Sequence, residues 1–196
     1  MKVIDESTIE LAKTGDNNSL SEIVNAYSPN IYSLSLKFMR NKHDAEDVLQ
    51  ETFLKMLNSI SKFEGRSTLY SWLYRIATNT ALEKLRKKYP EQFEIELDTV
   101  DYHEHSGRKS FELPYFDEKD LDNSDLKIEL NSAIKKLNAK LRIVFILRDI
   151  EGNSVKETGK ILNLSEANVK IRLMRARMFL KENLEDYYKQ RNDNAT

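Results

Sequence analysis

Apolar residues recur every three or four positions along most of the chain, which is the spacing of helices that bury one face. The clearest such segment runs from Asp44 to Ile60, and another runs from Thr68 to about Lys88. The inward stripe of the first segment consists of Ala45, Val48, Leu49, Thr52, Phe53, Met56, Leu57 and Ile60. Together with a helix over Leu20–Met39, these segments are expected to pack as one domain.

The last third of the chain predicts a second, smaller helical bundle. A helix is expected over Leu126–Leu137, and Leu141–Ile150 is apolar on more than one face, which is typical of a central buried helix. Two further helices, Val155–Leu162 and Glu166 to about Asn183, are joined by Asn163-Leu164-Ser165. This spacing fits a helix-turn-helix, and it fits an ordinary helical hairpin equally well.

Helix starts are marked by a hydroxyl and a carboxylate three residues apart, the spacing of a capping box. Three pairs have this spacing: Ser7 with Glu10, Ser19 with Glu22, and Ser154 with Glu157. Glycine and proline are scarce, at five and three residues, so few breaks interrupt the helices. The predicted fold class is therefore all-α, with two small helical domains.

The segment between the two helical domains has a different composition. Residues 90–125 contain two prolines, one glycine and many acids without sustained periodicity, which is typical of a linker. We predict a first domain at residues 1–88, an acidic linker at 89–125, a second domain at 126–188 and a tail at 189–196. Four linker residues are apolar enough to dock on a partner: Phe111, Leu113, Tyr115 and Phe116.

Charge is distributed unevenly, although the formal net charge is only -1. Residues 62–88 carry seven basic and two acidic side chains, and residues 135–181 carry twelve basic and four acidic ones. Residues 89–126, between them, carry twelve acids and three bases. Both basic stretches are therefore candidates for contacts with the phosphates of a nucleic acid.

The composition, with 40% hydrophobic and 32% charged residues, is that of a globular protein. There is no run of 18 apolar residues, and Met1–Glu10 has acids where a secretion signal would begin with basic residues. We therefore expect a cytoplasmic protein without membrane insertion. The absence of cysteine excludes disulfides, thiolate nucleophiles and thiolate metal sites.

No catalytic motif is recognisable in the sequence, and we predict neither an enzyme nor a bound cofactor. A glycine-rich phosphate loop, a nucleophile elbow and the zinc-protease motif are all missing. His103 and His105 suggest a metal-dependent enzyme as an alternative. Because they lie two residues apart in an acidic linker with no third ligand at helical spacing, a chance arrangement is the better interpretation.

The outer face of the Asp44 helix is a candidate binding surface. It places Leu54 among Asp47, Gln50 and Glu51. A lone exposed leucine is usually part of a solvated face. The neighbouring acids and amide make a patch for a partner an equally good interpretation.

The segment Phe63–Thr68 and the helix after it combine aromatic, basic and amide side chains, which is the combination that binds single-stranded DNA. Bases stack on the rings while the nucleic-acid backbone follows the positive charge. Trp72 lies on the inward stripe and is therefore assigned to the core. The candidates off that stripe are Tyr70, Tyr74, Arg75 and Asn79.

The last helix has an inward stripe of Val169, Leu173, Ala176 and Leu180. The opposite and flanking surface then carries Lys170, Ile171, Met174 and Arg175. In a major groove, aliphatic side chains contact thymine methyl groups and arginine pairs with guanine. The predicted phosphate contacts are Lys170, Arg172, Arg177 and Lys181. The alternative is a helix that packs on another surface with a charged rim.

Several stretches of the chain resemble the extracytoplasmic-function (ECF) sigma factors, the smallest group of the sigma-70 family. NKHDAEDVLQETFLK (residues 41–55) and WLYRIATNTALEKLR (residues 72–86) are similar to region 2 of that family. FILRDIEG (residues 145–152) and VKIRLMRAR (residues 169–177) are similar to region 4. The stretches occur in the order of the family, and the resemblance extends over roughly residues 9–88 and 126–185.

For region 2, the resemblance implies contacts with both polymerase and DNA. The residues that match the surface docking on the clamp helices of the polymerase beta-prime subunit are Asp47, Gln50, Glu51 and Leu54. The loop Phe63–Thr68 matches the loop that captures a flipped base of the minus-ten element. The implied minus-ten residues are Phe63, Gly65, Arg66, Tyr70, Arg75 and Asn79.

For region 4, the resemblance implies recognition of the minus-thirty-five element by the last helix. The implied residues are Ser165, Asn168, Lys170, Ile171, Arg172, Met174 and Arg175. Thr158 and Gly159 depart from the family pattern, because they occupy inward positions where an aliphatic residue and alanine are usual.

The function that the resemblance implies is transcription initiation. The expected partners are RNA polymerase core, through its beta-prime and beta subunits, and promoter DNA, with an anti-sigma factor as a further candidate. In this family, acidic linkers run through polymerase channels that nucleic acid otherwise occupies, which suits the many acids of residues 89–126. A stand-alone helix-turn-helix regulator, which binds duplex DNA without polymerase, is the alternative function.

Overall fold

The computed structural model describes residues 4–94 and 124–193, and every regular element in these two ranges is helical. The prediction of an all-α fold is therefore confirmed. The helices are α1 (Glu6–Lys13), α2 (Asn17–Met39), α3 (Lys42–Ser59), α4 (Leu69–Lys88), α5 (Glu91–Glu94), α6 (Ser124–Lys136), α7 (Ala139–Phe145), α8 (Val155–Leu162) and α9 (Glu166–Asp193). A 3-10 turn at Ile60–Lys62 follows α3, and a π turn at Ile146–Ile150 continues α7.

The chain divides into two compact units, an N-terminal unit at Met1–Tyr89 and a C-terminal unit at Pro90–Thr196. Among the described residues, no helix has the length and apolar character needed to cross a membrane. His103, His105 and the apolar linker residues at 111–116 lie outside the described ranges. What was predicted for them stays a prediction.

The N-terminal unit is a bundle in which α2, α3 and α4 pack against one another in pairs, while α1 contacts α2 and the 3-10 turn. The largest side chains of its core are completely enclosed: Ile23, Ile31, Phe38, Met56, Leu73 and Leu85. Burying a side chain of this size contributes about 1.5–3 kcal/mol. Because all three long helices supply such residues, their mutual packing is the main source of stability in this unit.

Aspartates, rather than serines, cap the first two helices. Asp5 Oδ1 accepts a hydrogen bond from the amide of Thr8 at 2.7 Å, and Asp16 Oδ2 accepts one from the amide of Ser19 at 2.8 Å. These bonds to backbone amides lower the pKa of both carboxyl groups. The capping boxes predicted at Ser7 and Ser19 are wrong, because Asp5 and Asp16 occupy the N-cap positions and both serines lie within the first turn of their helix.

Two ion pairs join the N-terminal end of α3 to the C-terminal end of α4. Lys88 binds Asp44, and Lys84 binds Asp47. Asn41 Nδ2 also donates a hydrogen bond to the Asp44 carboxylate at 2.7 Å. Asn41 Oδ1 caps α3 by accepting a hydrogen bond from the Asp44 amide at 2.8 Å. Hydrogen bonds from Asn41 and then from Lys88 lower the pKa of Asp44. The outer face of α3 is therefore held in a defined orientation relative to α4.

The C-terminal unit is built around α7. Every residue of α7 except Lys140 is buried, and burial continues through Ile146 and Leu147 of the π turn. The prediction of a central buried helix is thus confirmed for 141–147 and wrong for Ile150, which is 42% exposed. A π turn adds a residue to one turn of a helix, so the residues at its end leave the buried stripe.

The first residues of the predicted linker belong to the C-terminal unit. Helix α5 contacts the start of α7, where Gln92 Oε1 accepts a hydrogen bond from the amide of Ala139 at 3.0 Å. The ammonium of Lys140 lies 5.9 Å from the centroid of the Phe93 ring. Residues 91–94, near the start of the predicted linker, therefore form one helical turn. A single helical turn is too short to show a period in the sequence. Its stability comes from the contacts it makes with the rest of the unit.

Candidate functional surfaces

The outer face of α3 carries an exposed stripe, which we call the α3 stripe (Gln50, Leu54 and Leu57). Leu54 is 60% exposed, Leu57 is 45% exposed, and Gln50 is exposed one turn before them. The prediction that Leu57 is buried is wrong, because Phe53 and Met56 already fill that side of the core. Two exposed leucines on consecutive turns are the kind of surface that a protein partner buries.

The two acids on this face of α3 are already ion-paired within the N-terminal unit. Lys84 binds Asp47, and its hydrogen bond lowers the pKa of that carboxyl group. Lys55 binds Glu51 at 3.0 Å and Glu83 on α4 at 2.8 Å. Replacing either acid therefore breaks an intramolecular pair as well as any contact with a partner. Gln50 and Leu54 are the cleaner positions for substitution.

The loop between the 3-10 turn and α4 is anchored at its first residue and exposed at its tip. Phe63 is 8% exposed, with its ring centroid 5.2 Å from that of Trp72 and 5.7 Å from the ammonium of Lys13. This corrects the expectation that Phe63 contacts a flipped base, because neighbouring side chains cover the ring. Gly65 has a φ of 71°, a conformation that glycine adopts without strain. The side chain of Arg66 next to it is 85% exposed.

Helix α4 exposes polar side chains and buries one of its three aromatic residues, Tyr74. Arg75 and Asn79 are exposed one turn apart, and we call this pair the α4 face. Tyr70 is half-buried in a row of rings, with its centroid 6.0 Å from that of Tyr27 and 5.8 Å from that of Tyr74. Tyr74 is only 5% exposed, so its assignment as a DNA-binding candidate is wrong. Neighbouring side chains, including the ring of Tyr70, cover Tyr74.

Capping interactions define the two helices of the predicted helix-turn-helix. Ser154 Oγ accepts a hydrogen bond from the Glu157 amide at 3.1 Å, and the Glu157 carboxylate accepts one from the Ser154 amide at 2.8 Å. This capping box is confirmed, and the hydrogen bonds from Ser154 lower the pKa of Glu157. Helix α8 ends at Asn163 in the left-handed conformation, with a φ of 54°. The Leu164 amide then donates to the Gly159 carbonyl at 2.9 Å and closes the turn.

Gly159 allows this turn to approach α8 closely. A Cβ atom at Gly159 would lie only 2.8 Å from the carbonyl oxygen of Leu164, which is a backbone atom. Glycine inside a helix ordinarily costs about 1 kcal/mol relative to alanine. Here the close approach explains why glycine stands at this position, since the same residue, Leu164, is held by its hydrogen bond to Gly159.

Gly159→Ala is expected to destabilise the C-terminal unit by about 1–3 kcal/mol, the range for forcing extra atoms into a packed site. Without the close contact, the same change would stabilise the helix by up to about 1 kcal/mol. Thermal or denaturant unfolding of the two proteins measures the difference, with Lys156→Ala on the exposed side of α8 as the control. A Gly159→Ala protein as stable as its parent would contradict the contact with Leu164.

The buried stripe of α9 is the predicted one, and its other side chains lie at the surface to different extents. Val169, Leu173, Ala176 and Leu180 are all buried. Lys170 is exposed, whereas Ile171, Arg172, Met174 and Arg175 are half-buried. Ser165 Oγ accepts a hydrogen bond from the Asn168 amide at 3.2 Å, so Ser165 contributes to the start of the helix.

Arg177, predicted to contact phosphate, is held inside the C-terminal unit. Its Nε and Nη2 atoms donate to the two carboxylate oxygens of Asp149 at 2.9 and 2.8 Å. The bonds to Asp149 raise the pKa of Arg177. The edge of the guanidinium formed by Nε and Nη2 is therefore bound to a carboxylate of the same unit. The phosphate contact of Arg177 stays a prediction.

Two family models match the chain, one in each unit. Sigma-70 region 2 matches residues 23–90, and Sigma-70, region 4 matches residues 127–180. The first match contains the α3 stripe and the α4 face, and the second contains α7, α8 and the first half of α9.

Whole-chain relatives and a solved structure agree with these matches. The chain is 32% identical to the ECF RNA polymerase sigma factor SigW of Bacillus subtilis over 191 residues, which cover 95% of this chain and 100% of SigW. It is also 32% identical to SigX of Bacillus subtilis, over 83% of this chain and 82% of SigX. The fold resembles the sigma factor RpoE of Bartonella quintana, solved in complex with the anti-sigma factor NepR, with a TM-score of 0.57 and 22% identity over 84% of this chain and 96% of that one.

Proposed function

This chain belongs to the ECF group of the sigma-70 family, and on that premise we propose that it binds RNA polymerase core, recognises promoter DNA and promotes strand opening for transcription initiation. The observation that carries the proposal is the match to both region models in the order of the family, combined with an exposed apolar stripe on region 2. Strand opening then draws on binding energy, and no hydrolysis by this chain is required.

The contact with polymerase is assigned to the outer face of α3. The α3 stripe supplies apolar area, and it adds Leu57 to the residues inferred from the sequence. Asp47 and Glu51 border the stripe as ionised groups whose partners lie in the same unit. A surface with an apolar centre and a charged edge suits the clamp helices of the beta-prime subunit as its partner.

The minus-ten contact is assigned to the loop after the 3-10 turn and to α4. Gly65 and Arg66 lie at the exposed tip of the loop, and Arg75 and Asn79 face solvent on the adjoining helix. Tyr70 offers the half-buried ring of the aromatic row, between the buried rings of Tyr27 and Tyr74. Flipping a base costs a few kcal/mol, and stacking together with hydrogen bonds at this surface offsets that cost. Phe63 acts as the buried anchor of the loop rather than as a contact.

The minus-thirty-five contact is assigned to the start of α9. Lys170 and Arg172 are suited to phosphates, Arg175 to guanine, and the aliphatic residues Ile171 and Met174 to thymine methyl groups. Ser165 and Asn168 bring the N-terminus of the helix, with its partial positive charge, toward the DNA backbone. The turn closed by Gly159 and Leu164 sets how α8 supports this helix.

A protein with this role acts in the cytoplasm, where core polymerase and promoters are found. The structural relative named above was solved with an anti-sigma factor. We extend that to this chain as a candidate partner. The α3 stripe is the expected target, since masking this surface would prevent polymerase binding.

Transcription in vitro with purified core polymerase and genomic promoter fragments tests the proposed function. The expected result is specific initiation that requires both core and this chain. The alternative, a stand-alone helix-turn-helix regulator, predicts binding to duplex DNA by the chain alone and no initiation at any promoter when core is added. That second outcome would replace the sigma assignment.

A further inference from the structure

The reading helix α9 is held by two kinds of contact. Its buried stripe of four apolar residues packs on the unit, and such packing is non-directional. Arg177, two turns after the first reading residues, makes the bidentate pair with Asp149. A two-point hydrogen bond between a planar guanidinium and a planar carboxylate does have a preferred direction. The pair therefore adds a directional restraint on the rotation of α9 to the one that the packed apolar stripe provides.

Asp149 is presented by a firmly bonded segment. It lies in the π turn, where the Glu151 amide donates to the Ile146 carbonyl at 2.9 Å. After the turn, the amide and the side chain of Asn153 both donate to the Leu147 carbonyl, at 2.9 and 3.0 Å. The guanidinium of Arg148 also binds the Asn153 carbonyl. The π turn and its closing bonds therefore hold the Asp149 carboxylate at a defined place beside α9.

The geometry of α9 links Arg177 to the reading residues. Lys170, Met174 and Arg177 are spaced by four and three residues, so they share one flank of the helix. Side-chain tips lie about 5–6 Å from a helix axis, so a rotation of about 10° displaces a tip by about 1 Å. Hydrogen bonds to base edges tolerate only a few tenths of an ångström. A small rotation of α9 would therefore misplace the contacts that distinguish one base pair from another.

We propose that Asp149 and Arg177 are positioning residues for minus-thirty-five recognition, fixing the rotation of α9 so that its reading residues meet the correct base edges. The inference rests on the proposed role of α9 as the reading helix. The Arg177 side chain is 29% exposed and the Asp149 side chain is 16% exposed, so the pair contributes less to folding than the buried stripe does, and its effect falls on selectivity.

The test compares binding of the holoenzyme, core plus full chain, to a promoter found by start-site mapping and to the same fragment with a scrambled minus-thirty-five element. The variants are Asp149→Asn, Arg177→Lys and the exchange Asp149→Arg with Arg177→Asp. Each single change is expected to reduce the ratio of the two affinities about tenfold, the value of one misplaced base contact. The exchange is expected to recover part of the ratio, and unfolding temperatures should stay close to that of the parent.

Other outcomes distinguish this role from its competitors. If Arg177 instead contacted phosphate, Arg177→Lys would weaken binding to both fragments equally or not at all. Asp149→Asn would then leave the ratio of the two affinities unchanged or strengthen binding to both fragments. Either result would overturn the proposal. Glu10→Gln, which removes a carboxylate from the Glu10–Lys13 pair on α1, is the matched control and should have no effect. If the parent holoenzyme binds the two fragments equally well, the proposed role of α9 in minus-thirty-five recognition is refuted. If the parent discriminates between them and the variants do so equally well, only the role of the Asp149–Arg177 pair is refuted.

Discussion

Replacing Gln50 and Leu54 together by alanine is expected to weaken binding to RNA polymerase core about 100-fold, which corresponds to about 2.7 kcal/mol. Leu54 is the most exposed leucine of the N-terminal unit, at 60%, and Gln50 lies one turn before it. A partner that covers this stripe would remove the apolar side chain from water and satisfy the amide. Titration of labelled core with each protein measures the loss.

The fold should survive this double change, because substitutions at exposed positions usually alter stability by less than about 0.5 kcal/mol. Leu11→Ala is the matched control, since Leu11 is a leucine of the same unit with 53% exposure on α1. It should leave the affinity for core unchanged. Equal affinities for the parent and the Gln50/Leu54 double variant, with normal unfolding curves, would refute the assignment of the α3 stripe to polymerase.

Replacing Arg75 and Asn79 together by alanine is expected to slow formation of the open complex about 30-fold on duplex promoter DNA, corresponding to the loss of about 2 kcal/mol of polar contacts. Both side chains face solvent on α4, one turn apart, and neither belongs to the buried stripe of that helix. The defect should be confined to strand opening. Footprinting or a fluorescent base within the minus-ten element reports the rate.

A template that is already unpaired over the minus-ten element provides the internal check on this second prediction. If the α4 face contributes energy to unpairing, the pre-opened template should restore most of the activity of the double variant. Lys87→Ala, which removes one exposed positive charge near the end of the same helix, controls for the general loss of charge. Equal defects on both templates would instead point to a weakened contact with core.

The helices could be predicted from the sequence because their signal is local. The inward stripe of α9 is periodic over Val169, Leu173, Ala176 and Leu180, and all four are buried. The predicted start of α4 at Thr68 agrees with its capping residue in the structure. By contrast, α5 has too few residues to show a period, and it is stabilised by contacts between residues far apart in the chain, such as Gln92 with Ala139.

The candidate surfaces could be predicted only in outline, because exposure depends on neighbours from other helices. Phe63 was predicted as a loop residue available to DNA, yet Trp72 and Lys13 cover it. Leu57 was predicted on the buried stripe, yet it is exposed. Leu57 lies close to the boundary between the two faces of α3, where a helical pattern assigns sides least securely. Phe63 lies in a loop, which has no periodicity from which its burial could be predicted.

The sequence by itself determined the all-α fold, the helix-turn-helix spacing and the family, because periodicity, capping residues and ordered motifs are all properties of short stretches. Only the tertiary structure decided which charges are committed to partners within the protein. Arg177 differs from Arg175 in the sequence by two positions, but the π turn brings Asp149 to Arg177 from 28 residues away. Ion pairs and close backbone contacts of this kind join distant segments, so their presence follows from how the helices pack and not from the pattern of any one of them.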